Sequence, residues 1–353
     1  MSGALAEQSE RPPVAPGGPP LLEVRDLFTG YPVRRGIIGA LRREPRRFVR
    51  AVDGVSFCLR PGEMLALVGE SGCGKTTIAQ TILRLVDPVS GTIALEGRNI
   101  TDLSQRELQP VRRTMQMIYQ DPYESLDPRF RVRQAIEEPM LIHGIGGGRS
   151  HREQVVVEAL ARVEMTPAEI YLDRFPHELS GGQRQRVAIA ASLVLDPKLL
   201  VADEPVSMLD VSIRAGVLRL LDRLRRDNRL GVLMITHDLS TAARFADRIA
   251  VMYLGRIVEK GPARAVILSP QHPYTKALLS GVPKRDPRDR STQQILTGEP
   301  PNPTDVPPGC RFHPRCPVAE DRCRTIDPEL RPASTDEHTA ACVLVGEPAE
   351  GAG

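Results

Sequence analysis

The sequence predicts an α/β fold in which a parallel sheet is covered by helices on both faces. Three runs carry that expectation. MLALVG (64–69) is a short apolar strand ending in a glycine-rich loop, and KLLVADEP (198–205) and GVLMITHDL (231–239) are continuous apolar strands, each followed by a helical segment. Unbroken rather than alternating hydrophobicity is what a strand buried on both faces requires. The 353 residues suffice for one large domain with an appendage, and an apolar content of 41% permits a full core.

The elements follow in order. Residues 1–20 are rich in Pro and Gly and are expected to be disordered. LLEVRDLFTGY (21–31) reads as a strand. After it, seven arginines fall between Arg34 and Arg50, a solvated insertion or else a basic hairpin or short helix touching anionic lipid or a membrane subunit. AVDGVSFCL (51–59) alternates like a half-buried strand, and Thr77 to Val86 reads as a helix stopped by Asp87-Pro88. The chain changes character over about 121–178. There SHREQVVVEALARV (150–163) opens with Ser150 and Glu153 at capping-box spacing and places Val156, Ala159, Leu160 and Val163 on one face. This is a helical insertion between two α/β halves. From Pro262 onward prolines become dense and mark a tail. The expected division is a disordered N-terminus at 1–20, a 21–262 main domain and a 263–353 extension.

Composition excludes several classes. Net charge is only +3, five of the 47 basic residues are lysine, and aromatics make up 4% with no Trp. Acidic residues balance the arginines almost throughout, so no nucleic-acid partner is expected. No stretch reaches the roughly 18 apolar residues that span a bilayer, and the N-terminus lacks the apolar core of a secretory signal. The expected location is the cytosol, with any membrane role acting through a partner. Four of the six cysteines crowd the tail as C-x₅-C-x₆-C-x₁₈-C from Cys310 to Cys342. In a reducing compartment such a cluster suggests metal ligation rather than disulfides.

The chemistry-bearing residues sit at strand ends. Gly69-Glu70-Ser71-Gly72-Cys73-Gly74-Lys75-Thr76 satisfies G-x-x-x-x-G-K-[ST] between a strand and a helix. Its backbone N–H groups and the helix N-terminus suit a polyphosphate, Lys75 reaches the β- and γ-phosphates, and the Thr76 hydroxyl suits Mg²⁺. Cys73 fills a free position of the pattern. Asp203 ends an apolar strand, where it suits Mg²⁺, and Glu204 can orient and deprotonate a water. Gln120 follows MQMIY and His237 follows LMIT, where a parallel sheet would deliver both to a γ-phosphate. LSGGQRQR (179–186) adds a second anion site, Ser180 and Gly182 at a helix start, with no lysine or magnesium ligand of its own.

Taken together these motifs resemble the nucleotide-binding domain of ABC transporters over about 21–262, a P-loop NTPase (RecA-like) fold with a helical subdomain and, here, a small irregular Cys-containing extension. The resemblance implies ATP and Mg²⁺ as cofactors. It implies Glu204, His237, Gln120 and Lys75 as catalytic groups, with Thr76, Gln120 and Asp203 around the metal. It places Gly69, Ser71, Gly72, Gly74, Lys75, Thr76, Thr77 and Gln120 on the nucleotide of one subunit. Ser180, Gly181, Gly182, Gln183 and Asp210 would close over the γ-phosphate of the opposing one, making ATP the glue of a head-to-tail dimer. Met208 departs from the smaller residue usual in the loop Ser207–Asp210. The adenine is expected to stack on Tyr31, with Phe48 as rival.

SPQHPYTKALLSGVP (269–283), GCRFHPRCPVAEDRC (309–323), YQDPYESLDPR and the arginine-rich insertion resemble oligopeptide/dipeptide importer ATPases, in particular the second of their paired subunits. Pro273 is placed to start a helix with Tyr274, Ala277 and Leu278 facing inward. For Cys310, Cys316, Cys323 and Cys342 the resemblance implies a structural [4Fe–4S] cluster, while zinc and unligated thiols stay open, and His313 and His338 lie close enough to compete as ligands. The implied partners are a second, paralogous ABC ATPase, two integral membrane permeases and an extracytoplasmic solute-binding protein. The implied location is the cytoplasmic face of the membrane. The alternatives are import of nickel, glutathione or an oligosaccharide by the same machinery, or a soluble non-transport ATPase.

Overall fold

The computed structural model describes residues 18–32, 48–281 and 298–345. The expectations for the first 17 residues and for the arginine-rich stretch at 33–47 lie outside the described residues.

Two sheets form the frame. One is antiparallel and holds β1 (Leu22–Pro32), β2 (Phe48–Leu59), β4 (Ser90–Leu95) and β5 (Arg98–Asn99) in the order β2-β1-β4-β5. The other has eight strands: β3 (Met64–Val68), β6 (Met115–Ile118), β7 (Leu199–Asp203), β8 (Gly231–Thr236), β9 (Arg248–Tyr253), β10 (Arg256–Pro262), β11 (Arg331–Thr335) and β12 (His338–Ala340). Their order is β11-β12-β10-β9-β3-β8-β7-β6, and the run β9-β3-β8-β7-β6 is parallel as expected.

Alternation explains the continuous apolar runs. Met64, Ala66 and Val68 of β3 face one core, and Leu65 and Leu67 face the other. β7 and β8 divide in the same way, with Leu200, Ala202, Val232 and Met234 on the first side and Leu199, Val201, Leu233 and Ile235 on the second. The first core lies under the helical layer; the second lies between the sheets and includes Ile78, Ala79 and Ile82 of α1 (Lys75–Ile82). Every side chain of these strands is buried because each side of the sheet is covered.

The remaining helices are α2 (Gln105–Thr114), α3 (Pro122–Ser125), α4 (Val132–Ile142), α5 (Arg149–Arg162), α6 (Glu169–Leu172), α7 (Gly181–Leu193), α8 (Val211–Asn228), α9 (Leu239–Phe245), α10 (Ala263–Leu268) and α11 (Pro273–Ser280). Three local expectations need adjustment. α1 ends at Ile82 rather than running to Val86, because Arg84 turns left-handed (φ 53°) and ties down Ile100 O at 2.6 Å and Asp87 at 2.9 Å. α5 is capped by Gly148, so Ser150 lies inside the first turn and forms no capping box; Glu153 pairs instead with Arg133 at 3.6 Å. Val156, Ala159, Leu160 and Val163 do share the buried face. The tail, read as irregular, supplies two strands: β12 pairs with β10 (Glu259↔Ala340, Lys260↔Thr339) and extends the main sheet.

Buried charge fastens that extension. The Glu259 carboxylate, fully buried, accepts from Gln271 N (2.8 Å) and His272 N (2.9 Å) and meets His338 Nε2 at 2.7 Å. Three partners offset the desolvation that a lone buried carboxylate would suffer.

Candidate functional site

Register brings the functional strand ends together. Val68 pairs with Thr236, Ile235 with Asp203, and Ala202 with Ile118, so β3, β8, β7 and β6 end along one edge. Their following loops carry the glycine loop, His237, Glu204 and Gln120. A cleft of about 670 Å³ opens there, lined by Gly69, Ser71, Gly72, Gly74, Lys75, Thr76, Thr77, Gln120, Glu204 and His237. Residues scattered over more than 160 positions thus converge at the carboxyl ends of parallel strands, where α/β folds bind ligands.

Gly74 is required by geometry: its φ is 106° and a Cβ would stand 2.0 Å from Ala51 O. The next residue, Lys75, begins α1 and is buried, with Nζ donating to Gly69 O at 2.7 Å and Glu70 O at 2.9 Å. The loop therefore holds its own lysine by carbonyl oxygens. Burial pushes the neighbouring Cys73 thiol up, against the opposing pull of Lys75.

Asp203 is buried, and burial raises its pKa; a hydrogen bond with Thr76 opposes the shift, the Glu204 charge adds to it, and Lys75 counters. Its Oδ1 has no hydrogen-bond partner among the described residues. A buried orphan carboxylate oxygen beside a threonine hydroxyl is the hard-oxygen donor set that fits Mg²⁺. Glu204 adopts φ 43°, a left-handed conformation that costs a non-glycine residue on the order of 1 kcal/mol. Its N–H donates to Ile235 O at 3.0 Å, and its Oε2 stands 3.1 Å from His237 Nδ1. The turn thereby aims the carboxylate into the cleft beside an imidazole.

Other predicted residues stand apart from this cleft. Ser180 caps α7: its Oγ accepts from Gln183 N at 3.3 Å, and Gln183 Oε1 accepts from Ser180 N at 2.9 Å. Gly182 is fixed by close packing, since a Cβ there would lie 2.6 Å from Ile213 Cγ2. None of Ser180, Gly181, Gly182, Gln183 or Asp210 lines the cleft. Asp210 precedes α8 and is exposed. Tyr31 and Phe48 are 39% and 42% exposed at the paired ends of β1 and β2, and the cleft wall nearest them is Val49, the cross-strand partner of Tyr31.

Sequence reasoning missed a set of tail contacts to the glycine loop. Glu70 N donates to Tyr274 Oη at 3.0 Å, and the Glu70 carboxylate takes two bonds from Arg315, at 2.8 and 3.1 Å. Leu278 and Pro303 also line the cleft. The helix start at Pro273 is as expected, with Tyr274 and Ala277 buried, while Leu278 is only half-buried at the cleft wall. Arg311 forms a buried ion pair with Asp53.

The described side chains do not support the cysteine expectation. Burial pushes the Cys310 thiol up to about 11, with Cys342, Cys323 and Cys316 adding to the rise, so the four thiols are near neighbours. Even so, among the described residues no three His, Cys, Asp or Glu side chains converge closely enough to hold a metal ion. His313 Nδ1 is engaged with Cys310 O at 2.8 Å and His338 with Glu259. As placed, the side chains do not fit the expected [4Fe–4S] cluster or zinc, because ligation needs four donors aimed at one point; Cys310 and Cys316 pack instead against the core beneath the helices.

Comparison with known proteins agrees with the geometry. Residues 52–207 match the ABC transporter family, and residues 258–323 match the oligopeptide/dipeptide transporter C-terminal region. The chain is 45% identical to a probable peptide ABC transporter ATP-binding protein, y4tS, of Sinorhizobium fredii, over 91% of this chain and 89% of that one. It is likewise 45% identical to the oligopeptide transport ATP-binding protein AppF of Bacillus subtilis, over 92% of this chain and 97% of the relative. Among solved structures, the ATP-binding cassette MJ0796, a dimer bound to ADP and Pi after hydrolysis, superposes with a TM-score of 0.60 at 27% identity, over 69% of this chain and 99% of that one. With the glycine loop, the strand-end acids and the capped second loop all in place, the chain belongs to the ABC transporter family of ATPases, in the branch that carries the oligopeptide/dipeptide transporter C-terminal region.

Proposed function

We propose that this chain is the ATP-hydrolysing subunit of an importer for di- or oligopeptides, working from the cytoplasmic face of the membrane through permease partners. The observation that carries the reading is the pairing of a complete strand-end nucleotide cleft with a tail of the oligopeptide/dipeptide type, in a chain whose relatives are named for peptide transport. No helix among the described residues is long and apolar enough to cross a membrane. Translocation is then the work of the permeases, with a solute-binding protein delivering cargo.

In this reading the glycine-loop amides, Lys75 and Thr76 bind the triphosphate, and Thr76 and Asp203 hold Mg²⁺, with Gln120 nearby. Bound there, Mg²⁺ supplies charge neutralisation at the β- and γ-phosphates. Glu204 orients the attacking water and accepts its proton. His237, 3.1 Å away, steadies that carboxylate. Residues 21–262 act as the cassette and 263–353 as its extension.

The second loop needs a partner. Ser180 caps a helix outside its own cleft, and the apolar side chains of Met208 and Val211 nearby are 63% and 79% exposed. Closure of a head-to-tail dimer, with a paralogous ATPase as mate, would seat Ser180–Gln183 on the opposing γ-phosphate and cover Met208 and Val211. The test is reconstitution with the co-purified permeases in liposomes. ATP-dependent uptake of labelled peptides that Glu204→Gln abolishes is expected; ATP hydrolysis stimulated by a non-peptide solute and by no peptide would overturn the substrate class.

A further inference from the structure

We infer that Arg315 and Tyr274, both supplied by the C-terminal extension, are positioning residues for the phosphate loop, holding Glu70 so that ATP meets a charge-compensated loop. The inference rests on ATP being the ligand of the cleft. All polar groups of Glu70 are committed. Its N–H goes to Tyr274, both carboxylate oxygens go to Arg315, and its carbonyl takes Lys75 Nζ at 2.9 Å. One residue therefore couples the extension on one side to the phosphate-binding lysine on the other.

The anchor is rigid. The Arg315 and Glu70 side chains are 6% and 25% exposed. Behind them, the rings of Tyr253, Tyr274 and Phe312 meet with centroids 4.8–5.4 Å apart, and the Arg315 guanidinium stands 6.0 Å above Tyr253. The three rings come from β9, from α11 and from the turn before Arg315, so the grip on Glu70 forms only when the extension is docked.

A Mg²⁺-bound triphosphate stays anionic, and Glu70 lines its cleft. Fork-to-fork pairing with Arg315 neutralises that carboxylate. Without the guanidinium, an uncompensated negative charge sits on the loop wall, and ATP binding weakens while the hydrolytic groups Glu204 and His237 keep their geometry.

The experiment is steady-state ATP hydrolysis by the full chain with its co-purified partners. Arg315→Ala is expected to raise KM for ATP about tenfold, with kcat within about threefold of wild type. Adding Glu70→Gln to Arg315→Ala should bring KM back to within about threefold of wild type, since no charge is then left to compensate. Tyr274→Phe keeps the ring in its cluster and removes only the hydroxyl; about a threefold rise in KM with kcat unchanged is expected, beside only a small fall in Tm. Failure of Glu70→Gln to restore KM, or a fall in kcat with KM unmoved, would overturn the inference, as would an unshifted KM in Tyr274→Phe. Wild-type turnover and its loss in Glu204→Gln check the ATPase reading separately, so the two ideas fail by different results.

Discussion

Exchanging Glu204 for Gln is the sharpest perturbation of the cleft. The amide is isosteric, so the left-handed turn (φ 43°) and the N–H bond to Ile235 O survive, and an acceptor oxygen is still presented to His237 Nδ1 at about the present 3.1 Å. Two things are lost: a proton acceptor and a negative charge. General-base assistance is worth about 10²–10⁴-fold, or roughly 3–5 kcal/mol of transition-state stabilisation, and that is the expected fall in turnover. Binding moves the other way. Burial is the main reason Asp203 resists ionisation, but the adjacent Glu204 charge adds to it. Removing that charge lets Asp203 ionise more readily beside Mg²⁺, and it lifts one repulsion from the γ-phosphate. ATP affinity should hold or tighten.

The assay pairs phosphate release at saturating Mg-ATP with equilibrium binding of a fluorescent ATP analogue. Slow turnover with retained binding is expected, together with an ATP-bound dimer visible by size exclusion. Unchanged turnover would remove Glu204 from the role of base. Equal loss of binding and turnover would show that the exchange had damaged the loop, and the reasoning from isosteric replacement would fail.

Three further outcomes are expected. Ser180→Arg should abolish turnover while costing about 1 kcal/mol of cap stability, read by hydrolysis beside thermal denaturation; intact turnover would refute the trans-acting loop. Phe312→Ala removes a ring that is 1% exposed among Tyr253, Tyr274 and His272, and should lower stability by about 3–5 kcal/mol in chemical denaturation. Burial pushes the His272 pKa down to about 3, against about 6.5 in an unfolded chain, so the unfolded state binds the extra proton between those values. Stability should therefore fall as pH drops below about 6.5, by up to about 1.4 kcal/mol per unit for this group. His272→Asn, which keeps an acceptor for Tyr274 N, should flatten the acid limb of Tm against pH; an unaltered limb would exclude His272 as its source.

Much of this molecule was legible because its informative residues are local or periodic. A strand buried on both faces must be apolar throughout, so β3, β7 and β8 announced themselves, and their register then placed Lys75, Glu204 and His237 at one edge. Boundaries were less visible. Ser150 and Glu153 have capping-box spacing, yet the helix starts at Arg149, because spacing alone does not say where the first turn closes. The cysteine spacing identified a cluster but not its convergence, which depends on side-chain direction.

The extension was hardest to read because its determining contacts span great sequence distance: 204 residues from Glu70 to Tyr274, 245 to Arg315, and 258 from Asp53 to Arg311. No periodicity reports such pairs. The fold nonetheless gives them a common cause in β9. Successive residues of a strand face opposite ways, and here Met252 belongs to the core between the sheets while Tyr253 belongs to the core beneath the helices. The Met252 carbonyl crowds Gly69, where a Cβ would stand 2.2 Å away, and Tyr253 carries the rings of Tyr274 and Phe312. Two residues on, Gly255 N donates to Cys73 O at 2.9 Å. The strand that shapes the phosphate loop is therefore the strand on which the extension docks. An extension displaced from Tyr253 withdraws Tyr274 and Arg315 from Glu70 in the same movement, so docking of the tail and the form of the nucleotide site cannot vary independently.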